Sequence, residues 1–367
     1  MQKAFKNKPS GVLFYDTTQT YTNAVVDHLK LFKNNKFKIS FYDFRCLNHN
    51  FRLSNFKFII IHYSVRLPFN FLNGMAALQL KWCELPKILF IQDEYNGTDI
   101  ARFWIKQIKV DLIWTTLPLQ IAKNIYNCKE IKYKRTLTGY NSRILAKNRM
   151  LIDCRAIDIG YRGRTLPFFY GLLGQYKSSY PFALKKTIHK FSKLKEDIQI
   201  KDKFRIYGKK WQEYLCNCKS FFVSDSGSNI FDFCHALDVF EKQLVKIKLP
   251  INKKLLPKKL YTKCLKALEI PGLVNQISPK VFEVTAAGTL LISHPNSCLE
   301  RYGLKKSCDY LEIKNTKKSI LSLQKILQSD IKNRIILSAQ KKLQKPTFQQ
   351  DHFRAKVFRE IALLIKK

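Results

Sequence analysis

Short apolar runs of strand length alternate along this chain with longer segments in which apolar residues recur every three or four positions. That alternation predicts parallel strands joined by crossover helices. In the first half the runs place strands at Gly11–Tyr15, Phe37–Tyr42, Phe56–His62, Lys87–Gln92, Asp111–Thr115 and Ile131–Thr136. Helices fall between them at Thr20–Phe32, Asn70–Cys83, Thr98–Gln107 and Leu119–Tyr126. Asn141–Arg149 is polar and basic with no strand pattern, and it reads as a linker. The rhythm then restarts, with strands expected at Ala156–Gly160, Phe204–Tyr207, Ser220–Ser224, Thr289–Ser293 and Tyr310–Ile313. Helices fit Pro181–Phe191, Lys209–Cys216, Phe231–Lys242, Leu260–Leu268, Pro279–Ala287 and Lys317–Leu327. After Ser329 the pattern is helical only, ending in Asp351–Ile365. The expected organisation is an α/β domain over residues 1–145, a second over 150–345, and a C-terminal helix over 346–367. Two such domains facing each other would place a cleft at the carboxyl ends of both sheets, where ligands bind in open α/β folds.

Composition narrows the class. A chain of 367 residues with 46% hydrophobic and 13% aromatic side chains has material for two packed cores. No stretch approaches the roughly 18 apolar residues of a membrane-spanning helix. The run Gly11–Tyr15 is too short for a secretory signal. Ten scattered cysteines suit reduced thiols in the cytosol. The net charge of +39 is spread evenly: residues 1–150 carry 24 basic and 9 acidic side chains, a balance of +15. A dedicated nucleic-acid module concentrates its charge on a face or an arm, and none stands out here. Such charge nonetheless draws a protein toward anionic membranes, polyphosphates and RNA at low salt.

Candidate chemistry gathers at a few strand ends. The first is Ile277–Ser293, a helix followed by a strand. Ser278 suits the helix cap, Pro279 the first helical position and Gly288 the stop. Lys280 and Glu283 share a face near the helix's positive end, where free amides and a cation favour phosphate. A carboxylate one turn further on can accept two hydrogen bonds from a ribose diol. A nucleotide diphosphate fits this segment, and so does an ordinary solvated helix start. The second is Phe221–Asp232, where a buried strand runs into Ser226-Gly227-Ser228-Asn229, small residues that let backbone amides approach an anion or a sugar. A plain strand-to-helix turn has the same composition. In the third, Arg162 and Arg164 follow a strand end and could clamp a diphosphate, or lie on the surface among 66 basic residues. In the first half, strand ends carry Asp93-Glu94 and His62-Tyr63-Ser64 with Arg66 beyond.

Several motifs are missing: a G-x-G-x-x-G after the first strand, P-loop spacing at Gly208-Lys209-Lys210, a Cys-x-x-Cys pair and a G-x-S-x-G elbow. Cys216, Cys218, Cys234 and His235 have irregular spacing for zinc. The basic stretch Lys253–Lys266 suits either a membrane surface or a solvated helix face.

Five stretches, in order over about residues 60 to 295, resemble the group 1 type of bacterial glycosyltransferases of surface-polysaccharide assembly. They are His62-Tyr63-Ser64, Ile91-Gln92-Asp93-Glu94-Tyr95, Ile159-Gly160-Tyr161-Arg162, Ser226 to Asp232, and Ile277 to Glu283. The resemblance implies the GT-B fold, two Rossmann-like domains facing across a cleft, with the donor held mainly by the second. It implies sugar transfer from a nucleotide-diphosphate donor with retained configuration and no metal. It assigns Glu283 to the ribose, and Arg162 with Lys177, taken to stand just before a helix, to the diphosphate. Lys280, Arg164 and Ser278 join the donor site, and Ser226, Gly227, Ser228 and Asn229 line it. Asp93 and Glu94 become the catalytic, acceptor-side candidates. The family often carries a second glutamate eight positions before the ribose one; here that position is Asn275. The partners implied are a nucleotide-sugar and a glycan or lipid-linked acceptor, with no cofactor and no specific nucleic acid. The location implied is cytoplasmic, peripheral to the inner face of an anionic membrane. A basic nucleic-acid-binding protein and a GT-B scaffold without activity remain the alternatives.

Overall fold

The computed structural model describes residues 10–33, 37–48, 50–70, 72, 74–141, 151–246 and 266–366. The first half forms strands β1 (Ser10–Tyr15), β2 (Lys38–Asp43), β3 (Phe58–Ile61), β4 (Lys87–Ile91), β5 (Leu112–Thr115) and β6 (Lys132–Arg135). Between them run helices α1 (Asn23–Lys30), α2 (Gly74–Trp82), α3 (Thr98–Gln107) and α4 (Leu119–Tyr126). The second half begins with β7 (Ile157–Arg162), α5 (Gly171–Phe191), β8 (Glu196–Gln199), α6 (Gly208–Cys216), β9 (Cys218–Val223) and α7 (Ala236–Lys246). It continues with α8 (Pro279–Ala286), β10 (Leu290–Ser293), β11 (Leu311–Glu312), α9 (Lys317–Leu327), α10 (Ile331–Leu343) and α11 (Gln350–Ile365).

Every strand pairing is parallel, in two sheets of order β2-β1-β3-β4-β5-β6 and β11-β10-β9-β7-β8. Parallel sheets survive only with both faces covered, and the strand composition follows that rule. Phe58–Ile61 of β3 is wholly buried, as are Ile88, Ile113, Phe221, Leu290 and Ile292. In both sheets the second strand lies on one side of the first, and the later strands build outward on the other. The topological switch falls between β1 and β3 in one and between β7 and β9 in the other, so the two halves repeat a topology that no sequence repeat announces.

The chain divides into two units. One comprises the described residues up to Leu137 with Phe231–Ala236 and Asp351 onward, and the other Thr138–Ile230 with Leu237–Gln350. The final helix therefore belongs to the first core. Its Phe353 ring lies 5.2 Å from Trp114, and Phe358 stacks on Phe37 at 5.3 Å.

Three expectations need correcting. Phe204–Tyr207 is no strand; the edge partner of β7 is β8, a polar strand whose one buried apolar residue, Ile198, leaves little apolar signal. The helix expected to start at Pro181 begins ten residues earlier, at Gly171. Proline removes the N–H that would bond the carbonyl four residues back, at Lys177. That carbonyl accepts a hydrogen bond from the buried Tyr161 hydroxyl instead, at 2.5 Å, and the helix runs through. Lys177 thus sits inside α5 rather than before it. The helix expected at Phe231–Lys242 starts at Ala236. Asp232 instead forms a parallel bridge with Asn96. The helix expected at Leu260–Leu268 and the basic stretch Lys253–Lys266 lie mostly outside the described residues, as does the linker after Asn141.

Candidate functional site

The site is built around the amino-terminus of α8, where proline occupies the first turn and Ser278 takes the cap position with extended backbone. The Ser278 hydroxyl makes no cap hydrogen bond, so the first-turn amides take none from it. Lys280 is half-buried there. Burial pulls its ammonium pKa down to about 8; Lys177, Arg205 and Arg162 push the same way, and Glu283 opposes them. The Lys280 amine donates to the carbonyl of Arg162 and stands 5.3 Å from the Tyr161 ring centre. One turn on, Glu283 Oε2 accepts the indole N–H of Trp211 at 3.0 Å. The second domain thereby collects cations from β7, α5, the segment before α6, and α8 around one carboxylate.

Arg162 is brought to this place, yet its guanidinium is committed elsewhere. Its two terminal nitrogens bond Asp197 at 2.9 and 2.5 Å, a third hydrogen bond reaches the Tyr214 hydroxyl at 2.8 Å, and the group stacks over the Tyr214 ring at 4.2 Å. That bidentate pair locks β7 to β8. The charge of Arg162 reaches Lys280, but its side chain is only 12% exposed. Arg164 is exposed in the loop beyond. Arg205, unremarked in the sequence, joins the cluster through its charge on Lys280.

The small-residue turn is pinned from behind. Ser226 and Gln276 exchange two backbone hydrogen bonds of 2.8 Å, which ties the end of β9 to the segment entering α8. Gly227 has φ +102°, and a Cβ there would lie 1.8 Å from the carbonyl oxygen of Val274, so only glycine fits. Ser228 is buried and its hydroxyl donates to the Ile230 carbonyl. Asn229 spends its amide on Glu269 and on the N–H of Gly272. The Ser228 and Asn229 side chains are thus committed to bonds that hold the turn and its neighbours in place.

Beside that turn a second polar group occupies the ends of β9 and β10. Asp225 is buried, accepts the N–H of Cys298 at 2.9 Å and receives the side-chain amide of Asn275 at 3.0 Å. His294 stands 3.8 Å from the same carboxylate. Asn275 Oδ1 and His294 Nε2 are both enclosed with no hydrogen-bond partner. A carboxylate therefore lies one hydrogen bond from Asn275.

In the first domain the adjacent acids part company. Asp93 is exposed, with φ +57° and its carboxylate accepting the Tyr95 hydroxyl at 2.7 Å. Glu94 is wholly buried under the hydroxyls of Thr115 (2.6 Å) and Tyr126 (3.0 Å). Burial pushes its carboxyl pKa up to about 8, against the pull of those hydroxyls. Glu94 reaches no solvent, and it fastens β4 to β5 and α4. At the β1–β3 switch, His62 is buried and Nδ1 accepts the backbone N–H of Ser64, while Nε2 lies 2.9 Å from Nδ1 of His28. Burial keeps both imidazoles well below the usual histidine pKa, so the pair is neutral. It is a packed structural link.

Cys216, Cys218, Cys234 and His235 do not assemble: among the described residues no group of three or more His, Cys, Asp or Glu could hold a metal ion. No helix among the described residues is long and apolar enough to cross a membrane.

No protein-family model and no curated protein matches the chain. Among solved structures it is similar to the DNA-modifying enzyme β-glucosyltransferase, crystallised with and without uridine diphosphoglucose, with a TM-score of 0.54 at 10% identity, covering 98% of this chain and 100% of that one. It is likewise similar to sucrose-phosphate synthase from Thermosynechococcus elongatus, with a TM-score of 0.54 at 8% identity, covering 98% and 100%. HepE from Anabaena, solved with UDP-glucose, gives a TM-score of 0.50 at 7% identity, covering 96% and 99%. These likenesses establish the two-domain Rossmann-like GT-B fold.

Proposed function

We propose that this protein is a glycosyltransferase that moves a sugar from a nucleotide-diphosphate donor to a glycan or lipid-linked acceptor. The observation that carries the reading is the convergence of Lys280, Lys177 and Arg205 at the amino-terminus of α8, on the segment that also presents Glu283. When the bond from the anomeric carbon to the diphosphate breaks, negative charge grows on the departing oxygen. Fixed cations and helix amides stabilise that charge more than they stabilise the intact donor, which is what lowers a barrier. Lys280 and Lys177 face the diphosphate in this scheme, and Glu283, held by Trp211, takes the ribose hydroxyls. Arg162 contributes through its charge and by holding β7, with Arg164 and Arg205 closing over the phosphates. Asp225, Asn275 and His294 receive hydroxyls of the transferred sugar, and Asp93 serves the acceptor. Retention, independence from metals, and a place in surface-polysaccharide assembly at the inner face of a membrane complete the proposal.

UDP-glucose accompanies two of the three similar structures, and it is the first donor to try. A panel of nucleoside diphosphates and nucleotide sugars in thermal shift, at about 0.15 M salt to damp the basic surface, tests the site. One nucleotide raises the melting temperature, and Glu283→Ala abolishes the shift while leaving the unliganded melting temperature within a few degrees. Equal shifts from every polyanion, indifferent to that change, would sink the donor site.

A nucleic-acid acceptor is the second reading, favoured by the net charge of +39. One of the similar structures is a DNA-modifying enzyme. It requires duplex binding that persists at physiological salt with a steep salt dependence.

A further inference from the structure

We infer that the sugar on the donor is one without a carboxylate, rich in hydroxyls, and that Asp225 with His294 and Asn275 enforces that choice. The inference rests on the donor site proposed above and deepens it. Asp225, just past β9, is 2% exposed. Its oxygens lie 3.1 and 2.9 Å from the Cys298 N–H, and Oδ2 takes the Asn275 amide at 3.0 Å. A carboxylate here only accepts, so the Asn275 nitrogen has to face it, and the amide oxygen is the atom left over. His294 is 6% exposed. Its Nδ1 lies 2.8 Å from the Pro295 carbonyl, which also only accepts, so Nδ1 carries a proton. The other nitrogen stands 3.8 Å from Asp225, too far for the hydrogen bond that a protonated Nε2 would make there. Nε2 is therefore an acceptor. It and Asn275 Oδ1 are both enclosed without a hydrogen-bond partner.

These two unspent atoms both accept, and they sit beside one fixed negative charge. Leaving buried acceptors without a donor costs free energy, and sugar hydroxyls supply the donors. A uronate carboxylate supplies none and meets Asp225 as a like charge, so the same atoms that welcome a neutral sugar repel an acidic one. Arg301, whose charge reaches Cys298, is turned to the Gly272 carbonyl at 3.0 Å. The cluster adjoins the phosphate-binding end of the proposed site: Asn275 stands three residues before Ser278, and its neighbour Gln276 is bridged to Ser226. The Tyr176 ring, 40% exposed and 5.6 Å from the His294 ring, offers an apolar wall to the C–H face of a sugar. Tyr180, stacked on Tyr176, spends its hydroxyl on the Ile313 carbonyl at 2.6 Å and so supplies no donor to the cluster.

The test is calorimetric titration of the full chain with UDP, UDP-glucose and UDP-glucuronate, two sugars that differ in a hydroxymethyl group against a carboxylate. The wild type binds UDP-glucose about tenfold or more tighter than UDP-glucuronate. Asp225→Asn, which keeps the shape and an acceptor for the Cys298 N–H, brings the two affinities to within about threefold of each other. The ratio of the two sugars within one variant cancels any loss shared through folding or the diphosphate. Equal affinities in the wild type, or a ratio that Asp225→Asn leaves alone, would mean that the cluster only holds structure, and would overturn the inference. If Asp225→Asn does not fold, His294→Phe carries the test. It lowers the affinity for UDP-glucose relative to UDP by about fivefold or more, and an unchanged ratio overturns the inference. A wild type that binds UDP yet does not discriminate leaves the donor site standing and removes this inference alone. A wild type that binds none of the three removes both.

Discussion

Lys280 and Glu94 are each held near pKa 8 by burial, from opposite starting points, and the consequences differ. A diphosphate binds the ammonium form of Lys280. Donor affinity is therefore steady below about pH 8 and falls by up to about tenfold per unit above it, until the pKa of the complex is passed. Lys280→Arg keeps its charge and flattens the profile, while Lys280→Met binds weakly without that pH dependence, and the wild type falls toward it at alkaline pH. Calorimetric titration of a nucleoside diphosphate at neutral and alkaline pH reads both. Glu94 binds its proton more tightly folded than unfolded, so stability is full below its ordinary pKa of 4.5 and is lost as pH rises toward 8. Glu94→Gln removes that dependence. Between about pH 5.5 and 8 the wild type loses on the order of 3 kcal/mol more than the variant, read from urea midpoints. The adjacent pair Asp93-Glu94 also shows how far local reading goes. Both acids were legible at a strand end, but only the positive φ of Asp93 and the waiting Thr115 and Tyr126 hydroxyls decide which one faces water.

Between residues and domains, the turn after β9 is the element on which the site depends. Gly227→Ala forces a Cβ against the Val274 carbonyl at a φ that side chains avoid. We expect a loss of more than about 2 kcal/mol in denaturant unfolding, and weaker donor binding in the surviving folded fraction. Binding suffers because Ser226 and Gln276 hold the approach to α8 in register. The composition of this turn was visible in the chain, whereas its attachment to Gln276 was not, since fifty residues separate the partners. Helices with clear periodicity were read to the residue at α3, α4 and α9. β8 was missed because an edge strand with one buried position carries almost no apolar pattern. The early start of α5 was missed because tolerance of Pro181 rests on the Tyr161 hydroxyl, a side chain from another strand.

Across the whole chain, α11 completes the first core from the far end of the sequence. Phe353, Val357, Phe358 and Ile361 are 0–4% exposed. At about 1.5–3 kcal/mol for each buried side chain, their removal costs roughly the entire stability of a typical domain. A chain ended before Gln350 should therefore lose its near-UV circular dichroism and become sensitive to protease throughout residues 10–137, as limited proteolysis with mass spectrometry would show. Retention of a protected first domain would mean that α11 only decorates it. The helix itself was evident from its periodicity, though not which core it serves.

Local patterning alone settled the fold class, most element positions, and the segments that bear chemistry. Those properties follow from strand and helix spacings, capping residues and charge, all of which act within a few residues. Tertiary structure alone decided the occupation of each polar group: Arg162 spent on Asp197, Glu94 sealed in, Lys280 lowered in pKa by burial and then by cations from three other segments, Asn275 set against Asp225. The physical reason is that burial and Coulomb energies depend on distance through space. In a parallel sheet, neighbours in space are separated in sequence by whole crossover units, so the chain announces its elements long before it announces their partners.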